Sequence, residues 1–137
     1  MDEDRVPQNY LLILRIGRKP LEWVVPKADG IPPSPRINPT MDYFEDLNVI
    51  IIHGGRDDHD YRVTYSDMFV LDLVNFVWLK INIYDEVPVE RSEHSSCIVG
   101  SKLLILGGMN QSMYTKSDIY EVNLGKVYIR KFYIKLY

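Results

Sequence analysis

Two histidines and four aspartate or arginine side chains crowd a pair of glycines in the stretch His53-Gly54-Gly55-Arg56-Asp57-Asp58-His59-Asp60. Imidazoles and carboxylates gathered this densely are the groups that ligate divalent metals or pass protons. A second cluster, Arg91, His94, Ser95 and Cys97, sets a base within a few residues of two nucleophiles. The spacing argues against both. H-x3-D-D-H-D fits neither the tetrahedral zinc sets nor the calcium loop with its central glycine. Neighbouring strand residues point to opposite faces, so His94 cannot readily activate Ser95. The expectation is no metal site and no catalytic residue: His53 holds a structural strand position, and His59 with the aspartates falls in a polar loop.

The totals describe the molecule that must carry these residues. A chain of 137 residues, 46% hydrophobic and 26% charged, is ordinary for one soluble domain. A net charge of −3 argues against nucleic acid, whose phosphates call for a basic face. Residues 42–72 hold eight acids against Arg56 and Arg62, while residues 126–137 carry four cations and no acid; a solvated surface accounts for that asymmetry. Cys97 is the single cysteine, which points to a reducing compartment. The opening MDEDRVPQ is acidic where a secretory signal is basic and then apolar, and no apolar run reaches the roughly 18 residues of a membrane span. A cytoplasmic, membrane-free protein is expected.

The chain also repeats itself. Pro33-x-x-Arg36 recurs as Pro88-x-x-Arg91, and Trp23 as Trp78, each 55 residues on. Gly54-Gly55 recurs as Gly107-Gly108 after 53 residues, and Phe69-Val-Leu-Asp72 as Tyr120-Glu-Val-Asn123 after 51. The offset falls by two residues twice, which predicts a loop in each of those two intervals, because paired strands do not tolerate deletions. Val49-Ile-Ile-Ile52 and Leu103-Leu-Ile-Leu106 read as inner strands ended by glycine pairs. Residues 67–72 and 76–81 read as two further strands around a short turn, and no segment has a capped helical period. The repeated glycines sit where a backbone turns sharply or passes close to a neighbour. At Gly107-Gly108 no histidine or aspartate adjoins, so the first pair is not a metal turn. The chain reads as all-β, in units of about 50 residues with four strands each.

Four short strands, a diglycine after the second, an aromatic in the third and a tryptophan in the fourth resemble the kelch repeat. Arg91-Ser-Glu-His94-Ser95 matches that family's R-x-x-H-S pattern, whereas Arg36-Ile-Asn-Pro39 lacks the histidine and the last unit has Tyr128 or Ile129 in place of tryptophan. The resemblance implies kelch-type β-propeller blades, four-stranded antiparallel sheets, in an incomplete ring of about two and a half. Residues 1–35 would supply a strand pair of a partial first blade and a linker, 36–81 a blade, 82–90 an inter-blade loop, and 91–137 a blade with a basic aromatic tail. Trp23, Arg36, Gly54, Gly55, Phe69, Trp78, Arg91, His94, Gly107, Gly108 and Tyr120 become blade architecture, the large rings filling cores or inter-blade space.

Two and a half blades leave a wet apolar end. The chain is then a fragment of a longer propeller, completes a ring by self-association or with a second chain, or stands as an open half-ring whose aromatic tail forms an adhesive edge. The resemblance further implies a non-catalytic scaffold or adaptor with protein partners, no cofactor, and cytoskeletal or ciliary association as one setting. Its loops at residues 56–66, 82–90 and 109–117 would emerge on one face. Arg56, Asp57, Asp58, His59, Asp60, Tyr61 and Arg62 in the first, and Asn110, Tyr114 and Lys116 in the last, are the expected partner-binding residues. The alternatives from the same resemblance are a piece of a propeller oxidase or isomerase, or a regulatory propeller appended to a phosphatase.

Overall fold

The computed structural model describes residues 11–17, 19–81 and 88–125, and the backbone of 128–133. Among these the protein is all-β apart from one 3-10 turn at Glu45–Leu47. The strands are β1 (Ile13–Arg15), β2 (Glu22–Val24), β3 (Asp29–Gly30), β4 (Thr40–Phe44), β5 (Val49–His53), β6 (Met68–Asp72), β7 (Val77–Ile81), β8 (Ser95–Val99), β9 (Lys102–Leu106), β10 (Asp118–Asn123) and β11 (Tyr128–Tyr133). Strands β1 and β2 form a separate antiparallel pair, β4 to β7 an antiparallel meander, and β8 to β11 another. The sheets are propeller blades and they do not close a ring among the described residues.

The two drops in repeat offset have visible causes. In the first meander Glu45–Leu47 and the left-handed Asn48 (φ 50°) connect β4 to β5, with the Tyr43 hydroxyl donating to Asn48 Oδ1 at 3.0 Å. In the second, Gly100 (φ 59°) and Ser101 make the same connection in two residues. The loop after each diglycine is pinched by isolated bridges, Arg56 to Thr64 in one and Met109 to Thr115 in the other. Eight residues of sequence separate the first pair and six the second, so the other loss lies at the loop tip. The β6–β7 turn is held by Asp72 Oδ1, which accepts the N–H groups of Val74 (2.7 Å) and Asn75 (3.2 Å); Asn123 does the same for Gly125 at 3.0 Å.

One strand went unread in the sequence. β3, in the segment taken as linker, pairs parallel with β7 and adds a fifth strand to the first meander. The Asp29 N–H donates to the Phe76 carbonyl at 2.9 Å, and a Cβ on Gly30 would lie 2.2 Å from the Trp78 carbonyl oxygen. Glycine is the residue that lets this backbone come so close.

Strand alternation sorts the core into two layers. Phe44, Ile51 and Met68 face the second meander and bury against its Leu103, Ile105, Tyr120 and Val122. Phe69, Leu71 and Trp78 face the other way, partly covered by Leu11 and Ala28. Across the seam β8 lies against β4. Where the seam widens away from these strands, a cavity of about 280 Å³ opens among Leu47, Val70, Leu79, Ile81 and Leu124. Trp23 corrects an expectation: it is 65% exposed on β2 and fills no core, because among the described residues its sheet is only the β1–β2 pair. The strands β10 and β11 pair along six residues, but the side chains at 128–133 and the rest of the tail lie outside the described residues. No helix among the described residues is long and apolar enough to cross a membrane.

Candidate functional site

Each meander is locked at its diglycine end by an arginine. Arg91 Nη1 donates to Asp118 Oδ1 (2.9 Å) and to the Gly107 carbonyl (2.7 Å), and Nη2 donates to Asp118 Oδ2 (3.3 Å). Arg36 repeats the arrangement with Asp67 (2.5 and 3.3 Å) and the Gly54 carbonyl (2.9 Å). The third-strand aromatic lies under each guanidinium, Tyr120 at 4.8 Å from Arg91 and Phe69 at 5.6 Å from Arg36, and Tyr65 adds a closer ring at 4.1 Å from Arg36. The planar fork matches a carboxylate in two bonds and stacks on a ring, which lysine cannot do. Sequence reasoning singled out both arginines and missed both aspartates. The signal was there: an aspartate stands two residues before the repeated aromatic in each unit, Asp67 before Phe69 and Asp118 before Tyr120.

The glycine pairs serve two contacts. Gly54 (φ 65°) and Gly107 (φ 61°) are left-handed, as are Gly55 (φ 96°) and Gly108 (φ 94°). A Cβ on Gly55 would meet Ile37 O at 2.9 Å and Pro39, and one on Gly108 would meet Ser92 O at 2.8 Å and His94. Those are corresponding residues 55 positions apart, each within its own meander. A Cβ on Gly54, in contrast, would meet the following meander, at 2.6 Å from Arg91 O and 2.7 Å from His94 Cε1. The Gly55 N–H donates to the Arg91 carbonyl at 2.9 Å, and the Arg91 N–H to the Tyr65 carbonyl at 3.1 Å.

His53 and His94, 41 residues apart in sequence, meet in this seam. Their rings stand edge to face with centroids 5.0 Å apart. His94 Nε2 is 3.1 Å from His53 Nδ1 and 3.0 Å from Thr40 Oγ1. Burial, reinforced by the neighbouring imidazole and by Arg91 and Arg36, lowers His53 from 6.5 to about 3; burial and Arg91 lower His94 to about 4. Both are therefore neutral at pH 7 and sealed from water, hydrogen-bonding groups between two sheets. His94 reaches neither Ser95 nor Cys97, both of which are exposed on the opposite face. A second hydroxyl, Ser96 Oγ, donates to Asp42 across the same seam. No group of three or more metal-ligating side chains occurs among the described residues.

Beyond the glycines, the loops at 56–66 and 109–117 lie on one face, since Arg91 and Ser92 touch both: Gly55 bonds Arg91, and Ser92 bridges Met109. Several residues expected to meet a partner also hold the loops. Asp57 Oδ1 accepts the N–H groups of His59 (2.8 Å) and Asp60 (3.0 Å), and Oδ2 accepts the Tyr65 hydroxyl (3.1 Å). Those bonds, the one from Asp60 first, keep its carboxyl below the usual range. Arg56 pairs with Glu93 of the next meander at 3.4 Å and lies over Tyr61 at 5.2 Å. Glu93 also accepts the Asn38 side-chain amide at 3.3 Å. Asn110 Oδ1 accepts the N–H groups of Ser112 (3.1 Å) and Tyr114 (3.0 Å), and the Lys116 N–H donates to the Gly108 carbonyl. Asp60 is engaged by Arg62, which holds its carboxyl low. Asp58 and His59 flank this frame, and Tyr61 (61%) and Tyr114 (72%) rise from it into solvent with Arg62, Val63 and Met113. Of the third loop, residues 82–87 lie outside the described residues.

With this geometry in place the comparisons with known proteins can be read. A profile of the KLHDC2/KLHL20/DRC7 kelch-repeats domain matches residues 1–134. Host cell factor 1 of Homo sapiens is 31% identical over 103 residues, 72% of this chain and 5% of that protein. Host cell factor of Drosophila melanogaster is 33% identical over 92 residues, 64% of this chain and 6% of that protein. Dynein regulatory complex subunit 7 of Chlamydomonas reinhardtii is 28% identical over 108 residues, 79% of this chain and 9% of that protein. The chain thus spans under a tenth of the length of each of these relatives. The profile match over nearly all of its length, on repeated blades with the arginine, diglycine and aromatic in register, places this chain in the kelch-repeat family.

Proposed function

We propose that this chain is a non-catalytic protein-interaction module that offers the loops at 56–66 and 109–117 to a protein partner, as a scaffold or adaptor. One observation carries the reading: two adjoining loops are braced from within by Asp57, Asn110 and Arg56, and each raises an exposed tyrosine. A braced loop loses little conformational freedom on binding, and tyrosine brings large contact area at low entropy cost. Arg62 and Asp58 add charge and His59 a polar ring around Tyr61, and Lys116 shares a loop with Tyr114. The residues 36–81 and 91–137 act as the two units that set the loops side by side. The non-catalytic reading is supported by His94, which is buried in the seam between two sheets against Thr40 and His53 and reaches neither Ser95 nor Cys97. A cytoplasmic setting with cytoskeletal association is part of this reading, and the similarity to a dynein regulatory complex subunit is in keeping with the latter.

Affinity capture from the cells that make the protein, quantified for the native chain and for Tyr61→Ala/Tyr114→Ala, tests this. Partners should fall at least tenfold in the variant with the fold retained, and Arg56→Ala/Asp58→Ala/Tyr61→Ala should act similarly. Undiminished capture of every partner overturns the loop assignment, and stoichiometric copper or iron in the purified protein overturns the non-catalytic reading.

A further inference from the structure

Four of the acids between residues 42 and 72 have an internal partner: Asp42 accepts the Ser96 hydroxyl, Asp57 holds its own loop, Asp60 pairs with Arg62 and Asp67 with Arg36. Glu45, Asp46 and Asp72 form no ion pair among the described residues. They gather at the end of the first meander away from the diglycine. Glu45 and Asp46 stand on the turn between β4 and β5, and Asp72 opens the turn between β6 and β7. The Leu73 N–H ties the two turns by donating to the Asn48 carbonyl at 3.1 Å. Hydrogen bonds from the Asn75 side chain first, then from the Val74 and Asn75 N–H groups, hold the Asp72 carboxyl below its usual range. Those three bonds leave one of its roughly four acceptor sites open among the described residues.

The same turns edge the cavity in the seam. Its floor is sealed, with Phe44, Ile51, Met68 and Val122 each 5% exposed or less. Val49, Val70 and Ile81 of the first meander and Leu124 of the second make half-buried walls. It opens where Leu47 and Leu79 are 60% and 52% exposed, and Asp72 is the only charged residue that lines it among the described residues. Lys80, the neighbour of Leu79, points to the other face of the sheet, its ammonium 5.7 Å from the Phe69 ring. A volume of about 280 Å³ falls just under the roughly 300–1,000 Å³ of drug-sized pockets and suits one large side chain. An apolar socket bordered by unpaired carboxylates favours an apolar group flanked by cations and rejects one flanked by acids.

We propose that this cavity is a second docking site, which seats one large apolar side chain of a partner protein while the lysines or arginines next to it meet Glu45, Asp46 and Asp72. The side chain enters between Leu47 and Leu79 and rests on Phe44 and Val122. The site lies at the opposite end of the strands from the loops at 56–66 and 109–117, so its occupation leaves Tyr61 and Tyr114 free.

The test is a nuclear magnetic resonance titration of the isotope-labelled full chain with the peptide acetyl-Lys-Lys-Phe-Lys-Lys-amide. The backbone amides of Leu47, Val70, Leu79 and Leu124 should shift together and saturate, with a dissociation constant of about 1 mM or tighter. Peptides with glutamate in place of every lysine, or alanine in place of the phenylalanine, should bind at least tenfold more weakly. The lysine peptide should lose as much against Glu45→Gln/Asp46→Asn and against Leu79→Trp, whose ring fills the mouth; all three positions are exposed, so the fold is retained. No saturable shift at these amides, equal affinity for the control peptides, or affinity untouched by both variants overturns the proposal. Tyr61→Ala/Tyr114→Ala should leave the titration unchanged; weakening there would place the peptide on the loops and overturn the second site. Phenethylamine binding as tightly as the peptide makes the occupant a small amine, and a dimer in sedimentation of the chain alone that Leu79→Trp dissolves makes it a second copy. Either result overturns the assignment to a partner protein.

Discussion

Gly54→Ala and Gly107→Ala form a matched pair that isolates the seam from the turn. Both glycines have left-handed φ, 65° and 61°, so a side chain costs about 1–2 kcal/mol at either. Only at Gly54 does the new methyl collide with the adjacent sheet, 2.6 Å from Arg91 O and 2.7 Å from His94 Cε1. Neither obstacle can give way cheaply. The Arg91 side chain is tied to Asp118 and Gly107, its carbonyl accepts the Gly55 N–H, and the His94 ring is held by Thr40 and His53. Overpacking of that kind adds about 1–3 kcal/mol. Urea denaturation followed by tryptophan fluorescence and circular dichroism reads the difference as separate midpoints at unchanged slope. Gly54→Ala should be the less stable variant by about 1–3 kcal/mol. Equal destabilisation of the two would refute the reasoning, since it would mean that the first glycine answers to φ alone and the seam is slack.

Three further outcomes are expected. Arg91→Ala should cost about 3–5 kcal/mol in the same assay because it breaks a buried ion pair with Asp118 and the bond to the Gly107 carbonyl, whereas Arg62→Ala, with its side chain 88% exposed, should leave the midpoint nearly unchanged. Stability should fall as pH drops from about 6.5 toward 4, by up to roughly 1.4 kcal/mol per pH unit for each of His53 and His94, because the unfolded imidazoles take up protons that the folded ones, lowered to about 3 and about 4, refuse. That window lies above the one set by Asp57, Asp60 and Asp72, whose lowered carboxyls lend stability that is lost only as pH falls below about 3.8, and chemical denaturation at stepped pH separates the two. Asp57→Ala should loosen the loop at 56–66, seen as faster amide exchange at His59 and Asp60, while the global urea midpoint stays nearly unchanged.

What could be read from the sequence was whatever repeats along it. Arg36 with Arg91, the two glycine pairs and Phe69 with Tyr120 announce the blades because each does the same local work twice. His53 and His94 escaped as a pair because their meeting is a property of two sheets packed together and has no counterpart at fixed spacing. β3 escaped because Asp29-Gly30 is too short for any periodicity and is defined by its neighbour β7. Trp23 misled for the opposite reason: it keeps its repeat spacing while its sheet, among the described residues, is a strand pair that leaves the ring exposed. In the loop at 56–66 residue type promised contact groups, yet Asp57 and Arg56 spend their polarity inward, a distinction that rests on backbone geometry.

Each arginine finds its carboxylate within its own sheet, Arg36 after 31 residues and Arg91 after 27. A ribosome therefore releases the two parts of each lock close together in time. His53 and His94 are 41 residues apart, so the seam joins a longer stretch of chain than either lock does. Each wedge thus carries its own fastener, and the contact between wedges is the longer-range of the two.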